Sequence, residues 1–353
     1  MLSQLANTYK VFVMTFALGE PKVIDPASVG AYRWAIMGAA DIARAFVGGV
    51  QKHTNQQVVA VASRTPGKAE RFSADFGIDA HDNYEDLLAR ADIDIVYIPT
   101  LPTQHRDHAL QAIAAGKHVL IEKPITLDPA EAAEIFAAAR AAGVLAMEAM
   151  WTRYLPQYDT IRRIVSEGAL GDIELINVAM CQANLEMARL WKLGHGDPFF
   201  DMGIYPVSFC QSFLGNPTRI TAQGILNAHG IEEEVSVQLG YASGARAYIL
   251  VSARAGIPGI AQVAGTKGKL DVGPEFFVPT KLELREQSFN SQPATWVDQS
   301  PVQGHEGLSY QATAMASFID QGLLESPLES HADSLANLEV CAEAIRLVGA
   351  TII

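Results

Sequence analysis

At 353 residues the chain is longer than one ordinary domain of roughly 100–200 residues, so two domains are expected. Apolar residues make up 49% and charged residues 18%, a balance that supplies a sizeable core and excludes disorder. Thirty-nine acids against 26 bases give a formal charge of −13, which argues against a nucleic-acid partner held by a basic footprint. No apolar run reaches the ~18–20 residues that cross a bilayer, so no membrane partner is expected. Cys181, Cys210 and Cys341 are odd in number and widely spaced, with neither a disulfide framework nor a zinc spacing. No metal site is expected, and a reducing, cytoplasmic setting fits. Lys10 before the apolar Val11–Leu18 gives a short echo of a signal peptide, without a small-x-small cleavage site. Residues 1–30 read instead as an N-terminal arm.

From Tyr32 the pattern is strand and helix in alternation. Strands are expected at Tyr32–Gly38, Val58–Arg64, Ile93–Pro99, His118–Glu122 and Val144–Met150. Helices are expected at Ile42–Val50, Pro66–Phe76, Tyr84–Arg90, His105–Ala115 and Pro129–Ala142, the last between Asp128 as N-cap and Gly143 as C-cap. These strands are near-continuous apolar runs rather than alternating ones, the mark of a parallel sheet covered on both faces. Residues 31–150 therefore read as an α/β, doubly wound, dinucleotide-binding (Rossmann) domain.

After Met150 a helix is expected at Tyr154–Ser166, a strand at Ile173–Met180 and a helix at Asp201–Phe213. Six strand-like stretches follow between Thr218 and Arg285, joined by turns such as Ala242–Gly244 and Thr266–Gly268. Helices at Tyr310–Gln321 and Ser334–Val348 close the chain. Residues 151–353 read as an α+β substrate-binding and oligomerisation domain with a large, mainly antiparallel open sheet.

The first strand runs into Gly38, Ala39, Ala40, Asp41, Ile42 and Ala43. A dinucleotide turn needs a tight bend and close backbone approach to the pyrophosphate. Gly38 supplies the bend, whereas Ala40 stands where a second glycine is expected. An ordinary strand–helix turn is the plain alternative. The second strand ends in Ser63 and Arg64, with Lys68 nearby and no acid for a ribose 2′-hydroxyl. A guanidinium there suits a 2′-phosphate, so NADP is expected before NAD; a surface arginine is the alternative. Glu122-Lys123-Pro124 ends the fourth strand, where ligands of open α/β sheets bind. Desolvation there would lower the lysine pKa towards proton transfer, against a plain solvated lysine. Asp201 and Tyr205 are four apart and share a face if helical, but an N-cap and a core tyrosine explain them equally well. Trp151 and Arg153 stand at the seam between the two expected domains, a usual place for a pocket.

Taken together, strand–GxxxIA, a strand ending in SR, TLPTQH, GKHVLIEKP, EAMWTRY and DMGIYP resemble the Gfo/Idh/MocA oxidoreductases from about Tyr32 onward. Within them the motifs look most like dimeric dihydrodiol dehydrogenases and NADP-dependent aldose dehydrogenases. The resemblance implies Lys123 as catalytic lysine, its bond to Pro124 cis, with Asp201 and Tyr205 as catalytic partners. It places Gly38, Ala40, Asp41, Ile42, Ser63, Arg64, Lys68, Thr100, His105 and Glu122 on the cofactor side. It places Trp151 and Arg153 where cofactor or substrate is contacted. The segment Gly194–Phe200 departs from the family pattern; from this loop Lys192, His195 and Phe199 are candidate substrate contacts, with solvated loop residues as the plain alternative for Lys192 and His195. The expectation is an NADP(H)-dependent oxidoreductase of a pyranose sugar or cyclic polyol, a homodimer or homotetramer through the C-terminal sheet. A trans-dihydrodiol dehydrogenase and a non-catalytic NADP-binding sensor or scaffold are the alternatives.

Overall fold

The computed structural model describes residues 18–288 and 291–351. Most of the expected arm, and of the apolar run Val11–Leu18, lies outside the described residues. The rest of the arm lies along its own chain. Arg163 donates to the Gly19 carbonyl at 2.6 Å, the Lys22 amide to Asp159 at 2.7 Å, and the Gly30 amide and Tyr32 hydroxyl to Asp320 at 2.8 and 2.7 Å.

Six parallel strands form the first sheet: β1 (Arg33–Met37), β2 (Gln57–Ala62), β3 (Asp79–His81), β4 (Ile95–Ile98), β5 (His118–Ile121) and β6 (Ala146–Glu148). Their order is β3-β2-β1-β4-β5-β6. The connecting helices are α1 (Asp41–His53), α2 (Lys68–Phe76), α3 (Tyr84–Leu88), α4 (Pro102–Ala114) and α5 (Pro129–Ala142). All four residues of β4 are buried, and α5 buries Ala132, Ile135, Phe136 and Ala139 along one stripe. The order reverses between β1 and β4, which opens a crevice at their carboxyl ends. Five strands were expected and six are found. The extra one, β3, is three residues without an apolar pattern, paired to Ala60, Val61 and Ala62 of β2.

The second half begins with α6 (Pro156–Ser166) and β7 (Ile173–Cys181), then α7 (Ile204–Leu214). The remaining strands are β8 (Arg219–Leu226), β9 (Glu232–Gly240), β10 (Arg246–Ser252), β11 (Ile257–Gly265), β12 (Gly268–Val272), β13 (Lys281–Glu286) and β14 (Ala294–Val297). With β7 they build an eight-stranded sheet, ordered β14-β13-β12-β11-β7-β10-β9-β8. It is antiparallel throughout except where β7 pairs parallel to β10. Helices α8 (Leu308–Asp320) and α9 (His331–Val348) complete the fold. α7 and α9 cover one sheet face; Leu175, Ile225 and Tyr248 lie exposed on strands of the sheet. β14 had no expectation: Trp296 is its one buried residue. The helix expected from Asp201 starts at Ile204, after a wider π-turn over Phe199–Gly203.

A buried polar seam ties the end of the first sheet to α9. Arg153 pairs with Glu329, Asn337 donates to Glu329 at 2.7 Å, and Gln211 donates to Asn337 at 2.7 Å. His331 stacks on Phe136 at 3.9 Å and meets the Ala146 carbonyl at 3.0 Å.

Candidate active site

The carboxyl ends of β1, β2, β4 and β5 open into a cleft of about 1010 Å³ whose opposite wall comes from the second half of the chain. That is ample for a dinucleotide portion together with a small substrate. Its first-domain side carries Gly38, Ala40, Asp41, Ile42, Ser63, Arg64, Lys68, Thr100, His105, Glu122 and Lys123. Trp151, His195, Asp201 and Tyr205 line it as well.

At the first turn Gly38 has φ +122°, and a Cβ there would meet the Thr100 methyl at 2.7 Å. Only glycine fits both conditions. Ala40 is extended and offers no side-chain cap to α1. The first-turn amides thus have no capping side chain, as anion binding at a helix N-terminus requires. The extra methyl of Ala40 is accommodated at the N-cap, before the first helical residue, Asp41. Ser63 accepts the Thr65 amide at 3.2 Å, shaping the turn beyond β2. Arg64 is exposed, its guanidinium 5.3 Å from the Tyr84 ring centre. Lys68 stands beside it on the first turn of α2.

His105 is fully buried with both ring nitrogens against backbone carbonyls: Thr100 at 2.9 Å, Pro124 at 3.1 Å and Ile125 at 3.2 Å. Burial pushes its pKa down to about 4, against the pull of those carbonyls. It borders the cleft with both ring nitrogens committed to backbone, and so braces the segments after β4 and β5. Glu122 is similarly engaged, accepting the Tyr97 hydroxyl at 2.5 Å and the Lys123 amide at 3.1 Å. Burial raises its pKa, with Lys123 opposing.

Lys123 lies at the centre, and its bond to Pro124 is cis. Its ammonium donates to the Asp201 carbonyl and to Asp201 Oδ1, both at 2.8 Å, and sits 4.9 Å from the Tyr205 ring centre. Arg189 donates to Asp201 Oδ2 at 2.8 Å, so both carboxylate oxygens face cations. Burial opposes the charge on Lys123, but Asp201, Tyr205 and Glu122 outweigh it and hold the pKa above its ordinary value. The expected desolvated, lowered lysine is therefore corrected: the ion pair keeps it an ammonium. For Asp201, burial is outweighed by Lys123 and Arg189, and its pKa falls. Trp151 Nε1 donates to the Tyr205 oxygen at 3.0 Å. The Tyr205 pKa is raised, with burial ahead of the opposing charge of Lys123.

Three expected substrate contacts lie outside the cleft lining. Arg153 turns into the seam, paired with Glu329, because neighbours in the tight turn Trp151–Tyr154 point different ways. Phe199 is fully buried against Gly203, and Phe200 is buried too; Met202 of that turn reaches the cleft instead. Lys192 also lies outside the lining, whereas His195 is in it. Several lining residues had no expectation, among them Tyr84, Gln182, Asn184, Met187, Arg189, Phe277 and His305. Phe277 stacks on Tyr205 at 6.2 Å and His305 on Trp151 at 5.7 Å. Arg189, Phe277 and His305 lie in turns without periodicity, so no sequence signal marked them.

Comparison with known proteins agrees with this geometry. Residues 32–150 match the oxidoreductase family with an NAD-binding Rossmann fold, and residues 158–271 match the GFO/IDH/MocA C-terminal domain. The chain is 33% identical over 332 residues to trans-1,2-dihydrobenzene-1,2-diol dehydrogenase of Mus musculus, covering 91% of this chain and 98% of that one. The Xenopus tropicalis enzyme of the same name is 32% identical over 330 residues, covering 91% and 99%. Among solved structures, KijD10, a 3-ketoreductase from Actinomadura kijaniata in complex with TDP-benzene and NADP, superposes with a TM-score of 0.77 at 27% identity, covering 92% and 99%. Levoglucosan dehydrogenase shares the fold, with a TM-score of 0.81 at 16% identity over 90% of this chain and 97% of that one. The chain belongs to the Gfo/Idh/MocA family and is an NAD(P)-dependent oxidoreductase.

Proposed function

We propose that the protein uses NADP(H) to move a hydride to or from a ring carbon of a pyranose sugar or related cyclic polyol. The observation that carries this is the meeting of Lys123, Asp201 and Tyr205 in the same cleft that holds Arg64 at its cofactor end. Gly38, Ala40 and the first turn of α1 would cradle a pyrophosphate. Arg64 and Lys68 would hold a 2′-phosphate, since β2 ends without an acid. When bound, the nicotinamide supplies or accepts the hydride.

The residues handle the proton. Trp151 donates to the Tyr205 oxygen, which leaves the phenol O–H free for a substrate oxygen. In reduction Tyr205 gives its proton to the carbonyl oxygen, and the Trp151 N–H and Lys123 charge stabilise the tyrosinate left behind. In oxidation the tyrosinate takes the hydroxyl proton. Lys123, fixed as an ammonium, stabilises the developing alkoxide. Asp201, with both oxygens on cations, aims Lys123 rather than the substrate hydroxyl.

A second reading is a trans-dihydrodiol dehydrogenase. The aromatic wall of Trp151, Tyr205 and Phe277 favours it, as does the identity to the mouse enzyme. A homo-oligomer through the open sheet fits the exposed Leu175, Ile225 and Tyr248, and three buried free thiols fit a cytoplasmic setting. The test is the appearance of reduced nicotinamide from NADP⁺ with aldoses, inositols and cyclic diols offered separately. Turnover of aldoses or inositols above diols supports the first reading, and the reverse order supports the second. No turnover with any of them overturns both.

A further inference from the structure

We infer that His305 is a specificity-determining residue that holds a hydroxyl of the substrate remote from the reacting carbon, and so selects polyhydroxylated rings over bare cyclic diols. This rests on the oxidoreductase reading above and deepens it.

The position of His305 is tightly set. It lies in the turn Gly304–Gly307 that leads into α8. Glu306 is bound to Lys52 at 2.6 Å and to His53 at 2.9 Å, both on α1 of the cofactor-side half. Its side chain also accepts the Gln303 amide, closing a capping box. On the other side, a Cβ on Gly307 would meet Trp151 Cζ3 and Leu155 Cδ2 at 2.9 Å, so the turn is pressed against the cleft wall. The imidazole between these anchors lies over the Trp151 indole at 5.7 Å, with planes 28° apart. That indole is the one whose N–H fixes the Tyr205 oxygen.

The ring is thus held in register with the proton-transfer residue, yet it lines the cleft and is exposed to it. No described residue forms a hydrogen bond with either ring nitrogen. A turn anchored to both halves of the molecule, carrying a polar ring with no polar partner, is suited to supply one to a ligand. Burial and the charge of Lys123 both lower its pKa, so it is neutral at pH 7 and offers one donor and one acceptor. A hydroxyl on the substrate ring uses either. The neighbouring lining residues Trp151, Tyr205 and Phe277 are aromatic, so what little surface they leave to the cleft is mostly apolar. Of these four neighbouring rings, His305 is the one with polar atoms not used in proton transfer; Gln182, Asn184 and His195 also line the cleft.

The experiment compares the native chain, His305→Phe and His305→Asn, each with NADP⁺, on an aldopyranose and on a cyclic vicinal diol without further hydroxyls. Binding of NADP⁺ by each variant reports an intact fold. His305→Phe keeps the stacked ring and loses the polar contact. It is expected to raise KM for the aldopyranose roughly three- to tenfold, the range for one hydrogen bond, with kcat within twofold. KM for the diol should stay unchanged or fall. His305→Asn, which retains a donor and an acceptor, should recover part of the aldopyranose KM. Equal losses on both substrates, or an unchanged aldopyranose KM in His305→Phe, would overturn the assignment while leaving the oxidoreductase reading in place. A native chain that oxidises neither substrate overturns that reading and the assignment with it.

Discussion

Lys123 makes its contribution by staying charged. Two bonds donated to Asp201, itself held by Arg189, fix the ammonium beside the Tyr205 ring. Tyr205 rests as a phenol because burial outweighs the charge next to it. The sign of the pH dependence follows. An acid with a raised pKa gives up its proton only at higher pH, so oxidation, which needs the tyrosinate, should speed up as pH rises towards and beyond the ordinary tyrosine value of about 10. Reduction should be fastest at lower pH and fall over the same window. Opposite limbs for the two directions, measured as kcat/KM, are the expected outcome; parallel limbs would remove Tyr205 from proton transfer. At the other end of the cleft Arg64 should set cofactor choice. Arg64→Ala is expected to weaken NADP⁺ binding about ten- to a hundredfold, the range for a charge-assisted bond, while NAD⁺ binding changes little. Fluorescence titration of both cofactors checks this. Lys123, Asp201 and Tyr205 could be placed at strand and helix ends from the sequence, but only the resemblance to the family singled them out from a solvated lysine, an N-cap and a core tyrosine. Arg189 and His305 could not be placed, since each reaches the cleft from a turn whose direction is set only by packing.

At the scale of elements, the seam between β6, the Trp151–Tyr154 turn and α9 is polar and buried. Burial outweighs the pull of Arg153 and pushes Glu329 up to about 7. Arg153→Met leaves Glu329 buried without its cation, and denaturant unfolding should show a loss of about 3 kcal/mol. Arg153→Met combined with Glu329→Leu should recover most of it. Glu148, at the end of β6, accepts the Ile125 amide at 3.0 Å, and its pKa is pushed up to about 8, chiefly by burial. An acid with a raised folded pKa loses stability as pH climbs from 4.5, where the unfolded chain ionises, towards 8. Glu148→Gln should therefore melt above the native chain at pH 8, by about 3 °C or more, with the gap closing as pH falls to 4.5. Scanning calorimetry across that range reads it. The seam also explains why Arg153 was misassigned. Adjacent residues of a tight turn point to different sides, so Trp151 faces the cleft and Arg153 the interior.

Over the whole molecule, the apolar runs of the first half were enough to read its layered sheet, because parallel strands buried on both faces carry an unbroken signal. β3 and β14 escaped because short edge strands, mostly open to solvent, have little pattern to show. The π-turn at Phe199–Gly203 escaped for another reason. Its apolar residues fit a regular helix equally well, and the close approach of Phe199 to Gly203, which leaves no room for a Cβ there, is seen only in the fold. The cleft itself depends on both halves of the chain, with turns near residues 189, 277 and 305 lining it together with the ends of β1, β4 and β5.

The most direct test of the central claim is reduced-nicotinamide formation by the native chain and by Lys123→Met, each given NADP⁺ and the panel of aldoses, inositols and cyclic diols. Turnover is expected to depend on substrate and to fall by about a hundredfold or more in Lys123→Met, while NADP⁺ still binds. Near-normal turnover in that variant would contradict that claim.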